Sequence, residues 1–294
     1  MKRYLNTDLA VENKAFFNNC GREYYEEENE ISTICRLNIS NDELSKKYGR
    51  EKGIYVTILS EAFYLLDKFS FLSLADILAK EIRKILFDVC KRKCIKDCSV
   101  LVAGLGNAEI VVDAIGPISV KKLTVTRHIK FMSESYFTNE NMCSVSAIAP
   151  GVLSQTGIET VELIKGAVKS IHPDVVIAID SLSARSVERL GTTIQISDNG
   201  IAPGTGIGNM RKAINAENIG CPVISIGVPT VVSSSTLVID MLETAGVSEI
   251  SDELMSVLKE NKKFFVTPKE CDEITKSAAE LISTALDMMF GMHS

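Results

Sequence analysis

Apolar residues follow two alternating patterns along the chain, short continuous runs and stretches at helical spacing. The continuous runs predict buried strands and lie at residues 54–58, 99–104, 175–179, 193–196 and 223–226. The stretches at helical spacing predict amphipathic helices and lie at residues 74–89, 161–168, 184–190, 237–245 and 274–289. Because strands that alternate with helices favour parallel pairing, we expect an α/β fold of three layers, with helices on both faces of a mostly parallel sheet.

The size of the chain is compatible with one domain. It has 294 residues, 46% of them hydrophobic, which is enough to bury a large core. No repeat or long low-complexity linker separates the predicted elements. We therefore expect a single α/β domain with insertions.

Charge and hydropathy argue against nucleic-acid and membrane partners. The net charge is −6 and the pI is near 5.3, whereas binding to phosphates needs clustered Lys and Arg. The first eight residues lack the apolar core of a signal peptide. The uncharged stretch 218–239 contains Pro222, Pro229 and three consecutive serines, which suit a strand, a loop and a helix start better than a membrane span.

Eight cysteines are scattered through the chain and predict reduced thiols in the cytoplasm. Cys90, Cys94 and Cys98 recur at helical spacing. Without a CxxC pair or a neighbouring His, they match the spacing of zinc ligands poorly. We expect neither a metal nor a cofactor.

Two aspartates follow the two most apolar strands. Asp180 ends the run from Val175 to Ile179, and Asp113 follows the strand at 99–104 through a Gly-rich turn. In α/β sheets such positions often belong to binding or catalytic sites, although each aspartate could instead cap a following helix. If the two carboxylates lie close together, their repulsion keeps a proton on one of them, which leaves one acid and one base.

Other motifs carry less chemistry. The Gly-rich turn after residue 104 resembles the start of a dinucleotide fingerprint, but Glu109 stands where the third glycine belongs. The Gly-rich stretch 201–209 lacks the Gly-Lys-Ser/Thr of a phosphate loop, so the glycines are better explained by positive φ or close backbone approach. A serine triad would need His128 but has no Gly-x-Ser-x-Gly elbow, and Cys143 is explained equally well as a core residue.

Residues 145–160 carry the most distinctive motif, Val-Ser-Ala-Ile-Ala-Pro-Gly-Val-Leu-Ser-Gln-Thr-Gly-Ile-Glu-Thr. This motif resembles the central signature of the germination protease family, the spore endopeptidases of spore-forming Firmicutes. In order and approximate spacing, the resemblance extends to residues 6–12, 104–107, 113–117, 125–128, 176–180, 192–198, 204–209 and 226–231. A set of ordered matches of this kind is highly specific.

The resemblance implies an endopeptidase that degrades small acid-soluble spore proteins during germination. It further implies an inactive zymogen made during sporulation, a homotetramer, and a location in the cytoplasm of the forespore and spore core. Catalysis is implied at Asp113 and Asp180, and autocatalytic cleavage is implied between Asp8 and Leu9. Residues 1–8 would then be a propeptide, residues 9–294 would be the protease domain, and the junction would occupy the active cleft as a pseudo-substrate. Possible supporting residues are Glu159, Arg127, His128 and Asp198.

The chain departs from the family pattern near the first aspartate. Val111 and Val112 stand where the family usually has Thr-Pro, and Gly191 stands where an Asn commonly precedes Thr-Thr. The first departure leaves open a non-catalytic paralogue that only binds spore proteins.

A metal-assisted protease is a further alternative. It would use Asp113 and Asp180 together with Glu159 or His128, in a site similar to that of the hydrogenase maturation proteases. A chelator would inactivate such an enzyme.

Overall fold

The computed structural model describes residues 7–12, 21–140, 142–202, 212–247, 251–260 and 264–292. In these residues nine strands form one sheet. The strands are β1 (Tyr24–Glu28), β2 (Ser32–Ile39), β3 (Gly53–Ser60), β4 (Ser99–Gly104), β5 (Ser144–Ile148), β6 (Val175–Ala184), β7 (Thr193–Ser197), β8 (Val223–Ser233) and β9 (Phe265–Val266). The helices are α1 (Asp42–Tyr48), α2 (Lys68–Cys90), α3 (Ile115–Lys122), α4 (Arg127–Met132), α5 (Glu134–Asn139), α6 (Leu153–Thr156), α7 (Thr160–Ile171), α8 (Ala216–Ile219), α9 (Ser234–Thr244), α10 (Asp252–Glu260) and α11 (Cys271–Phe290).

The sheet combines a parallel part with an antiparallel part. Its order is β1-β2-β3-β7-β8-β6-β4-β5, and β9 pairs with the end of β8. β8, β6, β4 and β5 run parallel, whereas β1, β2, β3 and β7 extend the sheet by antiparallel pairing. The predicted α/β class with helices on both faces is confirmed. The sheet is mixed because a tight hairpin such as the one between β1 and β2 can join only antiparallel strands.

One face of the sheet is covered by the helices α2, α3 and α11. Val175, Ile177 and Ile179 of β6 alternate toward this face, and they share one buried cluster with Leu78 of α2 and Leu281 of α11. All five side chains are fully buried. This face therefore contributes a continuous apolar core.

The opposite face is covered by two separate structures. Val176 and Ala178 of β6 pack in a cluster with Ile164 of α7. Further along the same face, Leu182 packs in another cluster with Leu9, near the chain's N-terminus. The helical cover and the N-terminal cover thus leave a gap between Ala178 and Leu182.

Two predictions about this region are wrong. The apolar run predicts that β6 ends before Asp180, but the strand continues to Ala184, since its residues keep pairing with β8 across a register shift at Leu182/Ser183. A helix is predicted over 184–190, but only a short 3-10 turn, Val187–Arg189, forms there. The alternation of serine with apolar residues suits a strand with two different faces, and strand pairing overrides the helical period.

The other predicted helices are confirmed as α2, α7, α9 and α11. Residues 218–239 cover the end of α8, the strand β8 and the start of α9. No helix in the described ranges has the length and hydropathy needed to cross a bilayer.

Candidate functional site

Asp180 lies in a row of residues that crosses three adjacent strands. It pairs with Gly227 of β8, and Gly227 pairs on its other side with Gln195 of β7. Paired residues point to the same face of a sheet, here the face with the gap between the two covers. Gly227 has no side chain, so no side chain stands between those of Asp180 and Gln195 in this row. A Cβ atom on Gly227 would lie 2.5 Å from the side chain of Leu182.

Asp113 is held by the turn that follows β4. The N–H of Asn107 donates to Oδ2 of Asp113 over 2.8 Å. This turn requires glycine at position 106, where φ is +104° and a Cβ would lie 2.0 Å from the Asp113 carbonyl oxygen. The turn also reaches β6, because the N–H of Leu105 donates over 2.8 Å to the carbonyl of Ile179, the residue before Asp180.

Neither aspartate is a helix cap. The N-cap residue of α3 is Ala114, with no side-chain cap bond, and the side chain of Asp113 turns back to Asn107 instead. Asp180 lies inside a strand, is 5% exposed, and accepts the N–H of Ser181 over 2.9 Å. The interpretation of these two aspartates as helix caps is therefore wrong.

This part of the structure contains a cavity of about 630 Å³. Asp113 and Asp180 both line it, as do Gln195 and the N-terminal residues Thr7 and Asp8. A concave pocket with a few converging polar groups is the usual form of a binding or catalytic site.

The N-terminal segment, residues 7–12, lies across the row on Gln195 and β6. The N–H of Asp8 donates to the carbonyl of Ser183 over 2.9 Å, and the N–H of Ser183 donates to Oδ2 of Asp8 over 2.9 Å. Nε2 of Gln195 donates to the carbonyl of Asp8 over 2.9 Å, while its Oε1 accepts the N–H of Ala10. One glutamine side chain therefore spans the backbone on both sides of Leu9.

Further contacts hold the two ends of the N-terminal segment. Leu9 is fully buried, and Nη2 of Arg50 donates to the carbonyls of Thr7 and Leu9 over 2.8 and 3.0 Å. The carboxylate of Glu12 accepts the N–H groups of Arg185 and Ser186, which follow β6, over 2.7 and 2.9 Å. The segment thus binds the site through its backbone and through buried side chains.

The four possible supporting residues do not line the cavity. Glu159 precedes α7, Arg127 stacks on Phe131 with 4.7 Å between the guanidinium carbon and the ring centroid, and His128 is exposed. Asp198 accepts the N–H of Ile54 over 2.7 Å, and burial raises the pKa of its carboxyl group. Their supporting role stays a prediction.

Gln195 lines the cavity but is not among the site residues that the sequence predicts. It lies in the same motif as Asp198, residues 192–198. The signal that could have found it is the period of two along β7, since Ile194 and Ile196 are buried in the apolar core and residue 195 must face the other side.

Other candidate chemistry lies elsewhere. Cys143 is fully buried in the apolar core, its thiol donates to the carbonyl of Cys98 over 3.3 Å, and burial raises its pKa. Within the described ranges, no three His, Cys, Asp or Glu side chains are grouped to hold a metal ion. Cys20, His293 and most of the Gly-rich stretch, residues 203–209, lie outside the described residues.

Comparison with known proteins gives a consistent family. The family model for germination protease matches residues 8–245. A germination protease from Caldanaerobacter subterraneus subsp. tengcongensis is 40% identical, with 97% of this chain and 93% of that protein covered. One from Clostridium acetobutylicum is 35% identical, with 98% and 86% covered. A solved NiFe hydrogenase maturation protease, HycI from Thermococcus kodakarensis, covers 69% of this chain and 99% of its own, but a TM-score of 0.36 and 17% identity are too low to support a structural argument. The chain belongs to the germination protease family.

Proposed function

We propose that this protein is an endopeptidase that degrades small acid-soluble spore proteins in the germinating spore, and that it is made as a zymogen which cleaves itself between Asp8 and Leu9. Family membership makes it a protease of spore germination. The substrate, the self-processing and the catalytic pair Asp113 and Asp180 are the parts that we propose. A homotetramer in the cytoplasm of the forespore belongs to the same proposal.

The observation that carries the proposal is the position of the N-terminal segment. Its Asp8 lies in the cavity that Asp113 and Asp180 also line. The Asp8 backbone is hydrogen-bonded to Ser183 of β6 and to Gln195, and both of these residues line the same cavity. A peptide held in this way supports the role of a pseudo-substrate.

The chemistry follows from two carboxyl groups at one cavity. One, ionised, takes a proton from a water molecule as the water oxygen adds to the carbonyl carbon of Asp8. The other, protonated, donates a hydrogen bond to the carbonyl oxygen and then passes its proton to the nitrogen of Leu9 as the C–N bond breaks. The proposal assigns these two roles to Asp113 and Asp180 in either order.

Replacing either aspartate tests the catalytic pair. Asp113→Asn and Asp180→Asn should each abolish cleavage at Asp8–Leu9, since an amide can neither activate water nor supply the proton. Mass spectrometry of the N-terminus over time measures the cleavage. The matched control is Asp76→Asn on the exposed surface of α2. Asp76 pairs with Lys80 of the same helix and does not line the cavity, so this variant should mature at the wild-type rate. Normal maturation of both site variants would show that the pair is not catalytic.

The same preparation separates the alternative functions. A small acid-soluble spore protein incubated with the matured enzyme should be cut, whereas a non-catalytic paralogue would bind it and leave it intact. EDTA should leave the cutting rate unchanged. Inactivation by EDTA that is reversed by a divalent metal would establish the metal-assisted alternative instead.

A further inference from the structure

We propose that Gln195 is a catalytic residue of this protease, whose side-chain amide polarises the carbonyl of the bond that is cut. The inference rests on the proposed cleavage at Asp8–Leu9. It adds Gln195 to the protonated aspartate as a second and fixed hydrogen-bond donor for the oxygen that becomes negatively charged.

The sheet register places Gln195 opposite Asp180. Both residues pair with Gly227, one from each neighbouring strand. Neighbouring strands lie about 4.8 Å apart, so the Cα atoms of Asp180 and Gln195 are separated by roughly 10 Å. Residues 8–10 are hydrogen-bonded to both of these strands, to Ser183 of β6 and to Gln195 of β7.

The hydrogen bonds determine which way the Gln195 amide points. The N–H of Ala10 can only donate, so the atom that it meets must be Oε1. The other atom is then Nε2, and it donates to the Asp8 carbonyl over 2.9 Å. The donor end of the amide is therefore directed at the carbonyl of the proposed scissile bond.

This donor is held in place before the reaction starts. Gln195 lies in the middle of β7, where it pairs with Thr57 of β3 on one side and Gly227 of β8 on the other. As water adds to the carbonyl carbon of Asp8, negative charge develops on the oxygen. A preorganised donor at about 2.7–3.1 Å from this oxygen stabilises that charge and contributes roughly 100- to 1000-fold to the rate.

A purely structural role is the rival explanation, in which Gln195 only docks the segment. Gln195→Glu distinguishes the two roles, because the new carboxylate can still accept the N–H of Ala10 but cannot donate to the Asp8 carbonyl. The N-terminal segment should therefore still bind to the Gln195→Glu variant, but the Asp8 carbonyl should no longer be polarised. At acid pH the new carboxyl group takes up a proton, at about pH 4.3 in an unperturbed glutamate, and regains a donor.

The experiment uses the full chain and follows cleavage at Asp8–Leu9 by mass spectrometry. The Gln195→Glu variant should cleave at least about 100-fold more slowly than the wild type at pH 7. The ratio between the two cleavage rates should become smaller as the pH is lowered toward about 4.5. Hydrogen exchange of residues 7–12 is compared between the Asp180→Asn variant and the same variant carrying Gln195→Glu, because neither is expected to cleave. The protection of the Ala10 amide should be equal in the two proteins.

Three results would overturn the inference. Cleavage by Gln195→Glu within threefold of the wild-type rate would show that no donor is needed. A loss of protection at residues 7–12 that matches the loss of rate would show that Gln195 only docks the segment. A wild-type chain that never cuts at Asp8–Leu9 would instead remove the proposed self-processing, and this inference with it.

Discussion

The two faces of the sheet differ in what covers them. On one face the long helices α2 and α11 seal β6 with fully buried apolar side chains, including Leu281. On the other face α7 covers only the first half of β6, and the chain's own N-terminal segment covers the second half. Asp180 and Gln195 lie in the gap between these two covers. The first face stabilises the fold through buried apolar contacts. We infer that the second face contributes less to stability because polar residues of the site occupy part of it.

The comparison predicts that substitutions on the two faces act on different properties. Substitutions on the face covered by α2 and α11, called the sealed face, should change the free energy of unfolding and leave processing unchanged. Substitutions on the opposite face, called the gapped face, which carries Asp180 and Gln195, should change processing. The first two variants below test this separation by a stability measurement together with a processing measurement.

The largest effect on stability is expected at Leu281. Leu281→Ala removes a fully buried side chain from the centre of the sealed face and should lower the free energy of unfolding by about 3 kcal/mol. Urea unfolding measures this change. The rate of cleavage at Asp8–Leu9, measured well below the unfolding temperature, should remain that of the wild type. A parallel drop in the cleavage rate would contradict the separation between the faces.

An intermediate effect is expected at Leu9, on the gapped face. Leu9→Ala should cost about 2 kcal/mol, at the low end for a buried leucine, because a segment near the chain terminus can collapse into the space. Cleavage should slow as well, by roughly 10-fold, because the buried side chain that positions the scissile bond is lost. Leu281→Ala is the control, because it lowers stability without touching the segment. Unchanged cleavage in Leu9→Ala would mean that the buried leucine does not position the bond.

The smallest effect is expected at Asp198, which directly follows β7 and does not line the cavity. Burial raises the pKa of this carboxyl group above its ordinary value of 3.8, so stability is lost as the pH rises through the folded-state pKa. Asp198→Asn keeps an oxygen that can accept the N–H of Ile54 and removes the buried charge. Thermal unfolding should show a midpoint raised at pH 7 by about 3 °C at most, and no gain below pH 3.8. A lower midpoint at pH 7 would show that the charge stabilises the fold.

Much of the architecture could be predicted from local patterns. The apolar runs give β4, β7 and the starts of β6 and β8, and helical spacing gives α2 and α11, because burial of one face imposes a period on the sequence. The end of β6 could not be found in this way. Ser181 and Ser183 alternate with apolar residues, and only pairing with β8 shows that the strand continues past Asp180.

The candidate site was predictable in part. Asp113 and Asp180 stand out because each follows a strongly apolar run, and the structure places both at one cavity. Gln195 does not stand out, since a glutamine carries no charge, whereas Asp198 in the same motif does. The hydrogen bonds between Gln195 and the N-terminal segment link residues more than 180 positions apart, and no local pattern contains that information.

The sequence by itself determined the family motifs, the two aspartates and most of the helices and strands, because each of these depends on residues close together in the chain. Only the tertiary structure decided that Asp180, Gly227 and Gln195 form one row and that Asp8 and Leu9 lie across it. Such a row depends on the register of three strands distant in sequence, and register is set by the packing of the whole sheet.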